Sequence, residues 1–229
     1  MDHIPSEDAS EPDAPTPKKA GTAGKGAPRK RGRGADPEQT RLTLVTAAFE
    51  SLRHDGFRGT TARAIASRAQ ANQAAIYYHF GGIDELLLEA LRQSSERRLQ
   101  HYEETLSDFA DLATLIDNLE MLYVEDVESG HMAVLAELMG GVTANINLRS
   151  GLAETTQPWL DFVEQRITDV ASQHPMGALV PARDLADLLF SVVTGLELRN
   201  NLDGNAERAP RLFRLARLLL PLVATPPTT

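Results

Sequence analysis

Gln73, Tyr77, Tyr78 and His79 fall within seven residues and share one capability: each side chain donates a hydrogen bond. Such a cluster can serve phosphate oxygens or base edges. Gln73 has the amide geometry to pair bidentately with adenine, and the neighbouring Ala74 methyl can touch a thymine methyl. Arg63, ten residues upstream, can reach a guanine or a phosphate. A catalytic or metal role for His79 would need a carboxylate or thiolate at ligand spacing, and none stands there; the chain has no Cys. A second stretch with chemical spacing is Glu128-Ser129-Gly130-His131, the Glu-x-x-His of a carboxylate-bridged di-iron bundle. That chemistry needs two such motifs and two further Glu, only one motif is present, and Gly130 would break the helix between the ligands. Gly-x-Ser-x-Gly, phosphate-loop and HExxH patterns are absent too. An enzyme is not expected, and no catalytic residue, metal or cofactor is assigned.

The donor cluster must be carried by Thr60–Phe80, TTARAIASRAQANQAAIYYHF. Ile65, Ala66, Ala69, Ala71, Ile76 and Phe80 give two short helical runs, interrupted at Gln70-Ala71-Asn72. Thr60 or Thr61 can cap the first run and Asn72 the second, each offering a side-chain oxygen to an unpaired backbone N–H. Small Ala residues at 66, 69 and 71 allow a close, steep crossing, as in a helix-turn-helix spanning 61–80. A preceding helix starts at Pro37, carries the apolar stripe Leu44, Val45, Ala48, Phe49 and Leu52, and ends at Asp55-Gly56, with Phe57 packing back. After Gly81-Gly82, an amphipathic run from Ile83 to about Thr105 presents Leu86, Leu87, Ala90, Leu91 and Leu99.

The wider segment TRLTLVTAAFESLRHDGFRGTTARAIASRAQANQAAIYYHFGGIDELL resembles the DNA-binding domain of the TetR family of bacterial transcriptional regulators. The spacing TAAFESLRHDGF, TT, IA, IYYHF, DEL carries the resemblance over about fifty residues. It implies that Gln73, Ala74 and Tyr77 face bases while Thr61, Tyr78 and His79 lie nearer the phosphate backbone. It implies also a fourth helix that acts as a lever, and two last helices that pair with their copies. One of Tyr77 and Tyr78 is expected to be mainly structural, packed against the first or fourth helix. Two positions depart from the family pattern. Gln70 stands where Gly is usual, so positive φ is expected there at a cost of roughly 1 kcal/mol or more; Ile83 stands where a phosphate-binding Lys is usual.

Net charge is −9 over 229 residues, but the acid is unevenly spread. Residues 1–35 hold seven Lys/Arg and five Asp/Glu, residues 36–82 five and four, and residues 83–229 eleven and twenty-three. This polarity would turn the N-terminal part towards DNA and the body away. Residues 1–35 are rich in Pro, Gly, Ala, Ser and Thr and are expected to be disordered. Lys18–Arg33 holds all seven of their cations and no acid. Pro28-Arg29-Lys30-Arg31-Gly32-Arg33-Gly34 reads as a minor-groove arm through Arg31 and Arg33, or as a tail adding only counterion-release affinity. No apolar run reaches membrane length and no secretory signal is read, so a soluble cytoplasmic, nucleoid-associated protein is expected.

Few aromatics and abundant Ala and Leu make the chain all-α. The expected organisation is a disordered arm (1–35), a three-helix DNA-binding domain (36–82) and a helical ligand-binding and dimerisation bundle (83–229), about nine helices in all. Helical patterns run at about 110–128, 131–148, 155–173, 183–201 and 206–223, punctuated by Gly130, Ser150-Gly151, Pro175–Pro181 and Asp203-Gly204. The last two carry Leu185, Leu188, Leu189, Val192 and Leu196, then Leu212, Leu215, Leu218, Leu219 and Leu222. Periodicity alone leaves open whether these form a dimer interface or a buried core. Four of the five Met lie at 121, 132, 139 and 176. Met121, Met132 and Met139, with Leu135, Val142, Ile146, Trp159 and Phe162, either line an apolar cavity or form ordinary core; Asn145, Glu137 and Glu197 are candidate orienting groups. The function expected is a ligand-responsive homodimeric repressor on a pseudo-palindromic operator, with a small apolar or amphipathic effector. The alternative is an architectural DNA binder driven by the arm.

Overall fold

The computed structural model describes residues 36–107, 111–172, 179 and 181–224. The arm, with Arg31 and Arg33, lies outside them, as do Met176 and the side chain of Leu222. The regular structure among the described residues is α-helical: α1 (Pro37–Gly59), α2 (Ala62–Arg68), α3 (Ala74–Phe80), α4 (Ile83–Thr105), α5 (Leu112–Ser129), α6 (His131–Gly141), α7 (Leu148–Ala171), α8 (Ala182–Asp203) and α9 (Arg208–Ala224). No helix among them is long and apolar enough to cross a membrane.

Local sequence sets the helix ends. Pro37 opens α1, where its missing N–H costs nothing, and the Asp36 carboxylate accepts from Glu38 N at 3.1 Å. The regular part of α1 stops at Gly56, whose φ of 68° with ψ of 176° is a conformation open essentially to glycine. That break turns Phe57 back onto the core. α5 begins at an Asp111 cap, its carboxylate accepting from Thr114 N at 2.8 Å.

One apolar core runs through the head and into the body. Leu44, Leu52, Ile65 and Ile76 of the first three helices are fully buried together with Leu86 and Leu91 of α4, Leu138 of α6 and Leu148 of α7. Burying each such side chain contributes roughly 1.5–3 kcal/mol. α1 is therefore a platform on both sides, holding α2 and α3 outward and resting on α4 and α6 inward.

The periodic run read as 131–148 breaks sooner than expected. α6 stops at Gly141, the chain turns through 142–147 with Ala144 N and Asn145 N both donating to Gly141 O, and α7 starts at Leu148. Two consecutive glycines, 140 and 141, weaken the helix there, and burial of Leu148 fixes the restart. Ser150-Gly151, expected as a break, lies inside α7. At Gly151 the α4 side chain Leu88 comes in close: a Cβ there would sit 2.3 Å from its Cδ1.

Candidate nucleic-acid interface

The turn between α2 and α3 is a Schellman motif. Ala71 N donates to Ala66 O at 2.9 Å and Gln70 N to Ser67 O at 3.2 Å, which places Gln70 in the left-handed position with φ 52°. Gln70 is the only non-glycine with positive φ among the described residues. Thr61 caps α2, accepting from Ala64 N at 3.2 Å, whereas Thr60 bonds back to Gly56 O. Asn72 Oδ1 accepts from Ala74 N at 2.9 Å and opens α3.

Buried Ile76, with Ala75 and Phe80 packed beside it, holds α3 against the core and leaves the opposite face of the helix outward. Gln73, Ala74, Tyr77 and Tyr78 are exposed, as are Thr61 and Arg63; His79 is half-buried. The expectation that Tyr77 or Tyr78 packs inward fails: they are 54% and 82% exposed. The inward positions of α3 are taken by Ala75, Ile76 and Phe80, leaving no room for either phenol. Tyr78 instead stands edge-on to His79, ring centroids 4.9 Å apart.

Ion pairs fix the frame around this face. Arg68 donates to Ser51 Oγ at 3.1 Å and to Asp55 at 2.8 Å, clamping α2 onto α1. Arg41 of α1 pairs with Glu89 of α4 and lies over the Phe80 ring, 5.4 Å from its centroid. Burial acts to raise the Glu89 carboxyl, but bonds from Arg92, Gln93 and Arg41 outweigh it and hold the group below the usual range. Arg63 has no such partner among the described residues, so its guanidinium is free. Ile83 packs against the core, so α4 opens with an apolar anchor.

The head meets the body at two further bonds. Glu137 Oε2 of α6 accepts from Phe57 N at 2.7 Å, and Arg53 donates to Glu128 O at 3.0 Å. Glu137, expected to orient a ligand, is thus engaged at this joint. Glu128 and His131 are separated by Gly130 at φ 80°, so they do not share one helix face as a di-iron ligand pair requires.

Residues expected to line a cavity are dispersed. Leu135 and Met139 belong to the core under the head and Met132 is buried, whereas Met121 is exposed on α5 and Ile146 in the turn. Val142 packs on the core, and Asn145 Oδ1 accepts from Asn147 N. Trp159 and Phe162 do meet in the body, around Tyr102: the ring centroids are 5.0 and 6.4 Å from it. Sequence reading missed the polar cluster there. Arg98 pairs with buried Asp126, Tyr102 donates to Asp126 at 2.6 Å, and His131 Nδ1 lies 2.9 Å from Ser94 Oγ. Burial, with Arg98 nearby, lowers the His131 imidazole to about 4, and burial with the Asp126 charge pushes the Tyr102 phenol well up. A carboxylate one turn beyond Leu122 on an apolar face was the available signal, since such a group must find a partner.

On α8 and α9, Leu188, Leu189, Val192, Leu212, Leu215, Leu218 and Leu219 are exposed, with Leu185 and Leu196 half-buried. Within a single chain this stripe is not core.

The family model for bacterial regulatory proteins of the tetR family matches residues 44–90, from α1 through α3 and into α4. The nicotine-responsive transcriptional repressor HdnoR of Paenarthrobacter nicotinovorans is 26% identical over 161 residues, covering 69% of this chain and 82% of that protein. The fold is similar to that of the fatty acid degradation regulator FadR from Bacillus halodurans, with a TM-score of 0.66 at 14% identity over 78% of this chain and 96% of that one. It is equally similar to reduced NemR from E. coli, with a TM-score of 0.66 at 15% identity over 82% and 99%. The segment that this family model matches carries a capped helix-turn-helix with an outward donor face, and it makes the chain a DNA-binding regulator of transcription with a head similar to those of the tetR family.

Proposed function

We propose that the protein is a homodimeric, ligand-responsive repressor in which residues 36–82 form the reading head and residues 83–229 the sensing and pairing body. The observation that carries this is the bare stripe on α8 and α9. Leu188 and Leu215 are 56% and 47% exposed on helices that otherwise pack inward, and a second copy of the same stripe would cover them. Dimerisation would set two α3 helices into successive major grooves about 34–36 Å apart on a pseudo-palindrome. Gln73, Ala74 and Tyr77 would read bases, while Thr61, Arg63, Tyr78 and His79 hold the backbone; Arg31 and Arg33 of the arm would add affinity from the minor groove.

An effector in the body would act by favouring a dimer whose heads are wrongly spaced. Nicotine responsiveness in a relative 26% identical supports a small amphipathic ligand. The joint through Phe57, Glu137 and Arg53 is the route by which a shift of α6 would reach the head.

The test is selection of genomic fragments with full-length protein near physiological salt, then footprinting. Enrichment of a short palindrome, lost on Gln73→Ala, supports the reading. Enrichment of AT-rich or random fragments, abolished by deleting residues 1–35, would replace it with an architectural binder driven by the arm.

A further inference from the structure

Two polar atoms sealed inside the body, on different helices, lack partners and lie near one another. Glu197 of α8 is 6% exposed, makes no ion pair or hydrogen bond among the described residues, and its Oε2 is closed off from solvent. The Tyr123 hydroxyl of α5 is equally sealed and unbonded. Burial and the Glu197 carboxylate together push that phenol up to about 12, while the Asn200 side chain, at the margin of hydrogen-bond reach, acts the other way. Phe213 of α9 adds a ring 6.0 Å from that of Tyr123.

Glu197 shares its face of α8 with Ala186, buried, and Phe190, packed on the core. An apolar residue at this position would avoid the cost of desolvating a carboxylate, which is high when no partner compensates. Glu197 is an orphan acceptor that the Tyr123 hydroxyl, shared only loosely with Asn200, does not satisfy, which leaves a position for a third body, since buried polar atoms are otherwise almost always paired. Burial holds the unpaired Glu197 carboxyl above its usual range, and a cationic donor beside it would restore the charged form; an anion is repelled, and a neutral donor leaves the carboxylate charge uncompensated. Aromatic rings at the same place suit a cation with an apolar frame.

We propose that Glu197 and Tyr123 form a subsite for the ammonium group of an amphipathic amine, whose apolar frame extends towards Phe213. This rests on the ligand-responsive reading above and specifies its chemistry.

The experiment is calorimetric titration of the full-length protein at pH 7.5 with three probes of like size: phenethylamine, 2-phenylethanol and 3-phenylpropanoate. Phenethylamine is expected to bind about 10-fold or more tighter than the alcohol, with no detectable binding of the acid, because the ion pair is charge-assisted. Glu197→Gln should bring the amine down to the affinity of the alcohol. Tyr123→Phe, which keeps the ring, should weaken it about 3- to 10-fold. Equal affinities for amine and alcohol, no binding of the amine, or an unchanged Glu197→Gln affinity would each overturn the proposal and leave water as the only occupant. Should Glu197→Gln fail to fold by circular dichroism, the wild-type amine-to-alcohol ratio and Tyr123→Phe decide. The same preparations are assayed for binding to the selected DNA. Intact DNA binding with no amine discrimination sinks the subsite alone, while loss of sequence-selective DNA binding in the wild type sinks the repressor reading.

Discussion

Replacing Gln70 by Gly should make the protein more stable. Gln70 holds the left-handed position of the turn at φ 52°, where an L side chain costs roughly 1–2 kcal/mol through Cβ crowding. Glycine removes that cost and adds about 0.5–1 kcal/mol of chain entropy lost on folding, so the net gain is about 0.5–1 kcal/mol. The side chain is exposed, and both turn hydrogen bonds run between main-chain groups, so nothing else is lost. For a chain of this length the gain corresponds to a rise in Tm of about 1–4 °C. The assay is thermal unfolding followed by circular dichroism, on Gln70→Gly, Gln70→Asn and Gln70→Ala. Asn, which tolerates left-handed backbone, should recover part of the gain, and Ala none, because it keeps the Cβ. If Ala stabilises as much as Gly, the side chain and not the backbone is the cause; if Gly destabilises, the assignment of strain to this turn is wrong.

Other outcomes follow from particular contacts. His131 is held near 4 in the folded chain against about 6.5 unfolded, so the unfolded state takes up the proton first as pH falls. Stability that is full above pH 6.5 should drop by about 1.4 kcal/mol at pH 5.5, and His131→Asn should remove that increment from the pH dependence of urea midpoints. Glu137→Ala leaves Phe57 N without its acceptor and should cost about 1–3 kcal/mol, with Glu137→Gln, still an acceptor, costing less. Leu189→Glu together with Leu215→Glu places charge on the bare stripe and should yield monomers by sedimentation while leaving helix content unchanged. Gln73→Ala should lose about 1–3 kcal/mol of discrimination for the selected operator, read as a drop in its affinity relative to random DNA.

The head was legible because its elements are locally determined. Pro37, Thr61 and Asn72 cap or open helices through bonds that span only a few residues, and the 3.6-residue rhythm of α1 and α4 needs no distant partner to be visible. The strained turn was also readable, since a residue type standing where glycine is needed names its own φ. The body was harder. The break between α6 and α7 depends on the anchoring of Leu148 and on Leu88 pressing against Gly151, neither visible in a periodic pattern. Both Tyr77 and Tyr78 face out because Phe80 and Ala75 take the inward positions, a competition that only packing resolves.

The helices of the head, their caps and the donor set on α3 were set by residue type and by neighbours within a turn or two. Tertiary structure alone decided which apolar stripes are core and which are bare, since an identical Leu periodicity is buried at Leu86 and Leu91 and exposed at Leu188 and Leu215. It alone engaged Glu137 with Phe57, paired Asp126 with Arg98 and left Glu197 unpaired. A carboxylate's role is set by what stands within a few ångströms of it, and those neighbours come from helices that are remote in the chain.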